Sequence, residues 1–301
     1  MKHTPTQSGA PHDLRSVIER VDTHLAGFLD RRALPSKLDS AIRYSLLGGG
    51  KRIRPALAWY SSVACGTPGE NSLEAGAAVE MIHAFSLIHD DLPALDNDDL
   101  RRGRPTLHIH AGEAMAILAG DALLSMAYES THEHPDPEIA LRLSKELASG
   151  TRAMIEGQIF DTLGGLPDGI GEIEGVELIH RNKTGALLRA SCRMGAVAAH
   201  ADDRALDLLT AFSESIGLQF QIIDDLLDVE GSSQTVGKAL GKDAAAGKRT
   251  YPEVVGVEES RRVAQRLGSK ASEALNELDT LGLGDTRPLR LLGDMLTHRE
   301  A

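Results

Sequence analysis

Aromatic residues are scarce in this sequence: they make up 3% of its 301 residues, and the apolar positions are filled mostly by alanine and leucine. Because alanine and leucine favour helices more than strands, this composition predicts an all-α protein. Cysteine is also rare. Cys65 and Cys192 lie far apart and have no metal-ligand spacing, which favours free thiols in a reducing compartment.

Basic residues are in the minority, with 32 lysines and arginines against 44 aspartates and glutamates, a formal net charge of −12. This balance argues against nucleic acid as a partner, because phosphate backbones are bound by basic surfaces. Long apolar runs are missing too. Asp121 interrupts the best candidate, AMAILAGDALLSMAY, so no segment reaches the roughly 20 residues of a membrane span. The opening MKHTPTQSGAPHD lacks the apolar stretch of a secretory signal, and we therefore expect a cytoplasmic protein.

Helical periodicity, by contrast, is abundant. Val17, Val21, Leu25 and Leu29 form an apolar stripe after Asp13, which we predict to be an N-cap. The same periodicity predicts helices over about 112–131, 137–161, 173–199, 203–229, 252–279 and 287–298. These helices predict a single all-α domain over residues 13–301, after a flexible N-terminal tail of residues 1–12.

The segments between the predicted helices contain two further signals, a helix start and a long loop. Asn71 and Glu74 resemble a capping box that opens a helix running into an aspartate cluster. The segment 230–250 is long, glycine-rich and basic, and loops of this length are usually functional lids or disordered segments. We predict a flap near residue 240.

The most unusual stretch is LIHDDLPALDNDDLRRGRPTLH, residues 87–108, in which five aspartates are followed by three arginines. Such crowded carboxylates repel one another unless a cation lies among them, so the stretch is either a solvated acidic loop or a site for divalent cations. An EF-hand is excluded because Leu100, Arg101 and Leu107 occupy its required positions. The nearby histidines lack the paired spacing of a zinc site.

A second cluster, FQIIDDLLDVEG at 220–231, favours the cation site. Asp224 and Asp228 are one helical turn apart on the same face. Asp90 and Asp96 are six positions apart and would lie on different helix faces, but Pro93 interrupts the helix between them. This interruption would let Asp96 return toward Asp90, and carboxylate oxygens of this kind suit Mg²⁺.

Basic residues accompany both clusters. The set comprises Lys51, Arg52 and Arg54 in a glycine-preceded turn, Arg101 and Arg102 after the first cluster, Lys183 within an apolar helix, and Lys238, Lys242 and Lys248 within the predicted flap. Local cations of this kind suit a phosphorylated small molecule. No Walker pattern is present to indicate a nucleotide.

Six blocks occur in a characteristic order: GGGKRIRP, DDLPALDNDDLRRGRPTLH, AGDALL, KTGALL, FQIIDDLLD and GKDAAAGKRTYP. With all six, the chain resembles the short-chain trans-polyprenyl diphosphate synthases over about residues 38–255, and is most like the bacterial farnesyl diphosphate synthases. Asn97 departs from the pattern, because many relatives carry an acidic residue there.

The resemblance implies a single large helical bundle of the isoprenoid synthase type with a central active-site cavity. It also implies Mg²⁺-dependent head-to-tail condensation of isopentenyl diphosphate with dimethylallyl or geranyl diphosphate, giving farnesyl diphosphate and released diphosphate. Three Mg²⁺ ions with substrate bound, Mn²⁺ as a substitute metal and a homodimeric assembly are further implications.

The resemblance also assigns residues. The metal ligands are Asp90, Asp96 and Asp224, with Asp91 and Asp228 as supporting or water-mediated ligands. The allylic diphosphate is held by Arg101, Lys183 and Lys238. Isopentenyl diphosphate is held without metal by Lys51, Arg54, His83 and Arg102. Oxygen dipoles that stabilise the cation come from Thr184 and Gln221.

Product length follows from Phe85 and Ser86. Phe85 precedes Asp90 by five positions, about 7.5 Å along a helix, so its ring is the expected floor for a growing prenyl tail, beside the small Ser86. The other interpretation is that Phe85 is an ordinary core aromatic. We favour a C15 product over the C20 product of a geranylgeranyl diphosphate synthase.

Three further alternatives stay open. A terpene cyclase needs no second diphosphate site, so Lys51, Arg54 and Arg102 argue against it. A non-catalytic partner subunit should have lost aspartates from one cluster, and both are present. An acidic helical scaffold without activity does not explain six ordered blocks.

Overall fold

The computed structural model describes residues 13–234 and 250–297. Lys238, residues 235–249 of the predicted flap and the predicted tail 1–12 lie outside the described residues. The helices are α1 (Leu14–Asp30), α2 (Ser36–Leu46), α3 (Ile53–Ala64), α4 (Leu73–Asp90), α5 (Leu107–Ala111), α6 (Glu113–His132), α7 (Pro137–Thr162), α8 (Glu172–His180), α9 (Ala186–Ala198), α10 (Asp203–Gln234), α11 (Tyr251–Val255), α12 (Val257–Thr280) and α13 (Arg287–Thr297). Two short strands, β1 (Leu100–Arg101) and β2 (Arg104–Pro105), complete the described elements.

The predicted helices are confirmed with two interruptions. The helix predicted over 173–199 consists of α8, a π-helical turn at Arg181–Gly185, and α9. The helix predicted over 252–279 is broken at Gly256. The φ of Gly256 is +83°, which lies far outside the α-helical range, so the helix cannot continue through this residue. At the other end of the predicted flap, α10 continues to Gln234.

One of the two predicted helix starts is confirmed. The Asp13 carboxylate accepts a 3.3 Å hydrogen bond from the amide of Arg15, as an N-cap should. The predicted capping box at Asn71 is wrong. A 3₁₀ turn occupies Gly69–Ser72 and α4 begins only at Leu73, while the buried Ser72 hydroxyl donates to the carbonyl oxygen of Gly69 at 2.8 Å.

Helix α4 runs through the protein core and ends at Asp90, the first residue of the first aspartate cluster. Its sequence, LEAGAAVEMIHAFSLIHD, places small or apolar residues on most faces, as expected for a helix buried on several sides. It packs against α3, α6 and α9. Because α4 ends at Asp90, the core itself positions the start of the cluster.

A second, smaller apolar cluster joins α8, α10, α11 and α12 around Leu226 and Tyr251. It anchors the part of α10 that carries the second aspartate cluster. Among the described residues, none of the helices combines the length and apolarity that a membrane crossing requires.

Candidate active site

The chain turns back on itself where α4 ends. The amide nitrogen of Asp96 donates a 2.8 Å hydrogen bond to the carbonyl oxygen of Asp90. Pro93 lies in the bend between them and cannot continue the helical hydrogen bonds. The predicted return of Asp96 toward Asp90 is therefore confirmed, and two residues six positions apart are neighbours.

Asp90 is a partly buried carboxyl group. Its pKa is raised to about 6, chiefly by burial, and Asp96 and Asp91 act in the same direction against the opposing charges of Lys183 and Arg101. Burial and neighbouring carboxylates thus disfavour the negative charge of Asp90, and a nearby cation would stabilise that charge.

Asp91, in contrast, already has a cationic partner. It is 3% exposed, and it accepts hydrogen bonds from Nε of Arg101 at 2.8 and 3.0 Å and from Nη2 at 2.5 Å. This two-pronged geometry is the strong form of an arginine–carboxylate pair. Asp91 therefore fixes Arg101 and ties β1 to the end of α4.

The arginines after the cluster lie on a hairpin. β1 and β2 pair antiparallel with Leu100 opposite Pro105, and the connecting residues Arg102 and Gly103 both have positive φ, +53° and +74°. Positive φ at both central residues is typical of a type I′ turn. The all-α prediction does not include these strands, because two residues each are too few to show alternation.

This hairpin contacts the glycine-rich turn that precedes α3. Nη1 of Arg102 donates to the carbonyl oxygen of Gly49. A Cβ on Gly50 would lie 2.7 Å from the same Nη1, and the φ of Gly50 is +150°, so a side chain there would be both crowded and strained. The Tyr44 hydroxyl adds a 2.8 Å hydrogen bond to the carbonyl oxygen of Pro105.

The residues predicted to hold isopentenyl diphosphate line one depression: Lys51, Arg54, His83 and Arg102. Nε of Arg54 is buried and has no hydrogen-bond partner among the described residues. Burial lowers the pKa of His83 well below its usual range, and the guanidinium groups of Arg54 and Arg102 add to this effect. Glu80 also lines the depression, but its carboxylate accepts a 2.7 Å hydrogen bond from Arg52. The partnerless buried N–H of Arg54, with the cations Lys51 and Arg102 beside it, is therefore an arrangement that an oxyanion satisfies.

Lys183 lies in the π-helical turn between α8 and α9. Its Nζ donates to Oδ2 of Asp161 at 2.5 Å. Gly157 on α7 makes this approach possible, because a Cβ there would lie 2.1 Å from the backbone nitrogen of Lys183. Single π turns are frequent at functional sites, and this one places Lys183 and Thr184 on a cavity wall.

That cavity has a volume of about 390 Å³ and lies between α4, α7 and the π turn. Part of its lining is charged or polar and consists of Arg54, His83, Ser86, His89, Asp90, Gln158, Thr162, Lys183 and Thr184. The rest is apolar and consists of Phe85, Leu87, Leu95, Met154, Ile155, Ile159 and Leu163. A cavity with both kinds of lining fits a molecule with an ionic head and a hydrocarbon tail.

The second aspartate cluster lies on α10. The helix runs through Asp224 and Asp228, so the prediction that they share a face is confirmed. Asp225 has a different environment: its Oδ2 accepts a 2.7 Å hydrogen bond from the amide of Tyr251 and lies 3.1 Å from Nε2 of His180. In both clusters the second aspartate is thus buried and bonded to protein groups.

Three predicted residues on α10 are not among the described residues that line the cavity: Gln221, Asp224 and Asp228. The π turn nevertheless packs closely on this helix, because a Cβ on Gly217 would lie 3.0 Å from Cα of Gly185. Asp161 and Gly157 are not among the predicted site residues, since neither belongs to one of the six blocks.

The two clusters fit Mg²⁺ by the chemistry of their donors. Carboxylate oxygens are the hard ligands that Mg²⁺ prefers, and Mg²⁺ usually takes one or two of them and completes its shell with water and substrate phosphates. In residues 13–234 and 250–297, no group of three or more His, Cys, Asp or Glu side chains could hold a metal by itself. Two separate acidic sites therefore fit ions shared with a diphosphate better than an all-protein metal cage.

Comparison with known proteins identifies the family. A model described as polyprenyl synthetase matches residues 35–281, most of the chain. The chain belongs to this family. The farnesyl diphosphate synthase of Escherichia coli is 42% identical to it, over 96% of this chain and 98% of the relative.

Two further relatives of this polyprenyl synthetase extend the comparison. The heterodimeric geranylgeranyl pyrophosphate synthase large subunit 1 of Arabidopsis thaliana chloroplasts is 43% identical, over 88% of this chain and 73% of the relative. The apo structure of an FPP/GFPP synthase from Zymomonas mobilis superposes with a TM-score of 0.80 and 33% identity, over 94% of this chain and 98% of that one. The fold is the all-α fold of the isoprenyl synthases, as predicted, and the chain is a short-chain trans-prenyl diphosphate synthase.

Proposed function

We propose that this synthase makes farnesyl diphosphate by condensing isopentenyl diphosphate first with dimethylallyl diphosphate and then with geranyl diphosphate. The observation that carries the proposal is the position of Phe85. Its ring lines the cavity that also contains Asp90, about 7.5 Å further back along α4. A tail whose diphosphate is held at the aspartates meets this ring as it lengthens.

The allylic substrate is ionised at the acidic end of the cavity. Asp90, Asp96 and Asp224 would hold Mg²⁺, with Asp91 and Asp228 in support. Three Mg²⁺ ions, for which Mn²⁺ can substitute, would supply Lewis-acid neutralisation of the charge that develops on the departing diphosphate. Asp91 acts through Arg101, because its oxygens are already bonded to that guanidinium.

Each of the two diphosphates is bound by its own set of cationic side chains. Lys183 and Arg101, with Lys238 from outside the described residues, hold the allylic diphosphate. Arg101 can do this while bonded to Asp91, because a guanidinium has five donors and the pair occupies only Nε and Nη2.

Isopentenyl diphosphate occupies the adjoining depression. Lys51, Arg54 and Arg102 supply the positive charge there, and the depressed pKa of His83 keeps its imidazole neutral at neutral pH. After the carbon–oxygen bond to diphosphate breaks, the double bond of isopentenyl diphosphate attacks the resulting allylic cation. The oxygen dipole of Thr184 on the cavity wall, and that of Gln221 by the family resemblance, would stabilise the cation. The released diphosphate takes the final proton.

Product analysis tests the proposal. The protein is incubated with Mg²⁺, isopentenyl diphosphate and dimethylallyl diphosphate, and the dephosphorylated alcohols are separated by chromatography. We expect mainly the C15 alcohol. Mainly C20 would assign the protein to the geranylgeranyl synthases, with which it also shares high identity. Diphosphate release from geranyl or farnesyl diphosphate without use of isopentenyl diphosphate would indicate a cyclase, and inactivity without another chain would indicate a partner subunit.

The proposal also includes a cytoplasmic homodimer. It is supported by exposed apolar side chains on α6, where Ile117 is 44% and Leu118 58% exposed, since adjacent exposed apolar residues favour an interface. Light scattering of the purified protein should give the mass of two chains. A single-chain mass at micromolar concentration would contradict this part of the proposal.

A further inference from the structure

The AGDALL block, residues 119–124, contributes no residue to the predicted site. Its glycine, Gly120, nevertheless lies against His89, which lines the cavity. Gly120 is buried in α6. A Cβ at this position would lie 2.2 Å from Nε2 and 2.6 Å from Cδ2 of His89. Real Cβ atoms do not approach other atoms this closely, so any side chain at position 120 would displace the imidazole.

The imidazole of His89 lies between α6 and Phe85. Its Nε2 is 3.2 Å from the carbonyl oxygen of Ile117 on α6, so the tautomer with a proton on Nε2 donates to this oxygen. On the other side, the His89 and Phe85 rings meet edge to face, with centroids 4.9 Å apart and planes at 72°. This is a favoured geometry for aromatic pairs, and both rings line the cavity.

We propose that Gly120 and His89 are positioning residues for product length. Gly120 leaves room for the imidazole against α6, the hydrogen bond to Ile117 holds the imidazole there, and the imidazole supports the ring of Phe85. The depth of the tail cavity then depends on α6 as well as on α4. This inference rests on the proposed function, because it concerns the same cavity and the same tail.

Two substitutions should shift product length in opposite directions. In Gly120→Ala, the new methyl group pushes the imidazole off Ile117 and toward Phe85, so the cavity becomes shallower. In His89→Ala, the removed ring leaves space beside Phe85 and takes away its support, so the cavity becomes deeper. In the double variant, the methyl group of residue 120 no longer meets an imidazole, so the effect of Gly120→Ala should disappear.

The experiment measures the C10, C15 and C20 alcohols made by each variant under the same substrate ratio. We expect the C10 to C15 ratio to rise at least about threefold in Gly120→Ala, and the C20 to C15 ratio to rise by at least the same factor in His89→Ala. The distribution is the readout because His89 adjoins Asp90 and its loss can also change the rate.

Gly150→Ala is the matched control. Gly150 is buried in α7, and a Cβ there would lie 2.7 Å from Cβ of Ala190, so this variant overpacks the core at a glycine that is not among the residues lining the cavity. It should lower the melting temperature and leave the product distribution unchanged. If Gly120→Ala does not fold, His89→Ala decides the question alone.

An unchanged distribution in folded Gly120→Ala or in His89→Ala, or a shift opposite to the one stated, overturns the inference. Phe85→Ala separates this failure from failure of the proposed function. If Phe85→Ala lengthens the product and His89→Ala does not, Phe85 alone sets the length and only the inference fails. If the wild type makes mainly C20 product, the farnesyl assignment fails first.

Discussion

Nζ of Lys183 lies 2.5 Å from Oδ2 of Asp161, across the contact between the π turn and α7. The pair is partly buried, with the lysine side chain 30% and the aspartate side chain 13% exposed. An ammonium group has three donors, so this bond orients Lys183 and leaves donors for a substrate in the cavity that Lys183 lines.

Lys183→Ala should therefore weaken binding of the allylic substrate. A charge-assisted hydrogen bond contributes about 1.5–3 kcal/mol, so the KM for geranyl diphosphate should rise about tenfold or more. The KM for isopentenyl diphosphate should stay nearly unchanged. Steady-state kinetics with each substrate varied in turn checks this, with Lys270→Ala on the exposed surface of α12 as the control. An equal rise in both KM values would mean that Lys183 does not distinguish the two sites.

The acidic clusters can be tested by removing one carboxylate from each. Asp90→Ala and Asp224→Ala should each lower kcat by about a thousandfold or more, because several kcal/mol of charge stabilisation is lost in the transition state. Burial already disfavours the charged form of Asp90 and raises its pKa, so its removal should not destabilise the metal-free fold.

Kinetics at saturating Mg²⁺ and thermal melts measure both effects. Asp99→Ala, an exposed aspartate of the same loop, controls for loss of a nearby charge and should keep normal turnover. A folded Asp90→Ala or Asp224→Ala variant with near-normal kcat would rule out the metal assignment.

The depression beside α3 predicts a selective binding defect. Nε of Arg54 is buried without a hydrogen-bond partner among the described residues, so a bound diphosphate can accept from this N–H without displacing an existing hydrogen bond. Lys51→Ala and Arg54→Ala should raise the KM for isopentenyl diphosphate about tenfold and change the allylic KM little. Lys37→Ala, exposed on α2, is the control. If only the allylic KM rises, the two diphosphate sites must be exchanged.

His83 makes stability depend on pH. Burial is the main cause that lowers its pKa in the folded protein, so below the unfolded value of about 6.5 the unfolded chain binds more protons. The stabilisation is complete above that pH and is lost as the pH falls. His83→Gln should therefore flatten the decline of unfolding free energy between about pH 7 and 5, by at most about 1.4 kcal/mol per pH unit.

Urea unfolding at several pH values measures this slope. Burial also lowers the pKa of His24, so the slope should become smaller without vanishing. His132→Gln, at an exposed position of α6, controls for the loss of one histidine. If His83→Gln keeps the wild-type slope, His83 is not the group that titrates.

The sequence predicts those parts of the site that depend on local geometry. Asp224 and Asp228 share a face because α10 is a regular helix, and Pro93 forces the bend that brings Asp96 to Asp90. These relationships depend on helical periodicity and on the missing backbone N–H of one proline. Both features can be read from a single amino-acid sequence.

The rest depends on contacts between distant segments. The π turn at Lys183 is packed against Gly157, and no short-range pattern specifies that contact. Asp91 and Asp96 have the same side chain, yet only Asp91 is enclosed by Arg101, because the hairpin folds back over the end of α4. Charge patterns thus locate the clusters, whereas tertiary packing decides which carboxylates remain open to a cation.

Phe85→Ala tests the farnesyl assignment directly. Phe85 is 8% exposed, and the exposed part faces the cavity that it lines with Asp90 and Lys183. Truncation to alanine removes the ring from the path of the tail, so another isoprene unit should fit and C20 should become the main product. Phe85→Tyr keeps the ring and should still make mainly C15. Chromatography of the dephosphorylated alcohols measures both variants beside the wild type. If Phe85→Ala folds and still stops at C15, the ring is a core aromatic, the tail ends against other residues, and the farnesyl assignment loses the observation that carries it.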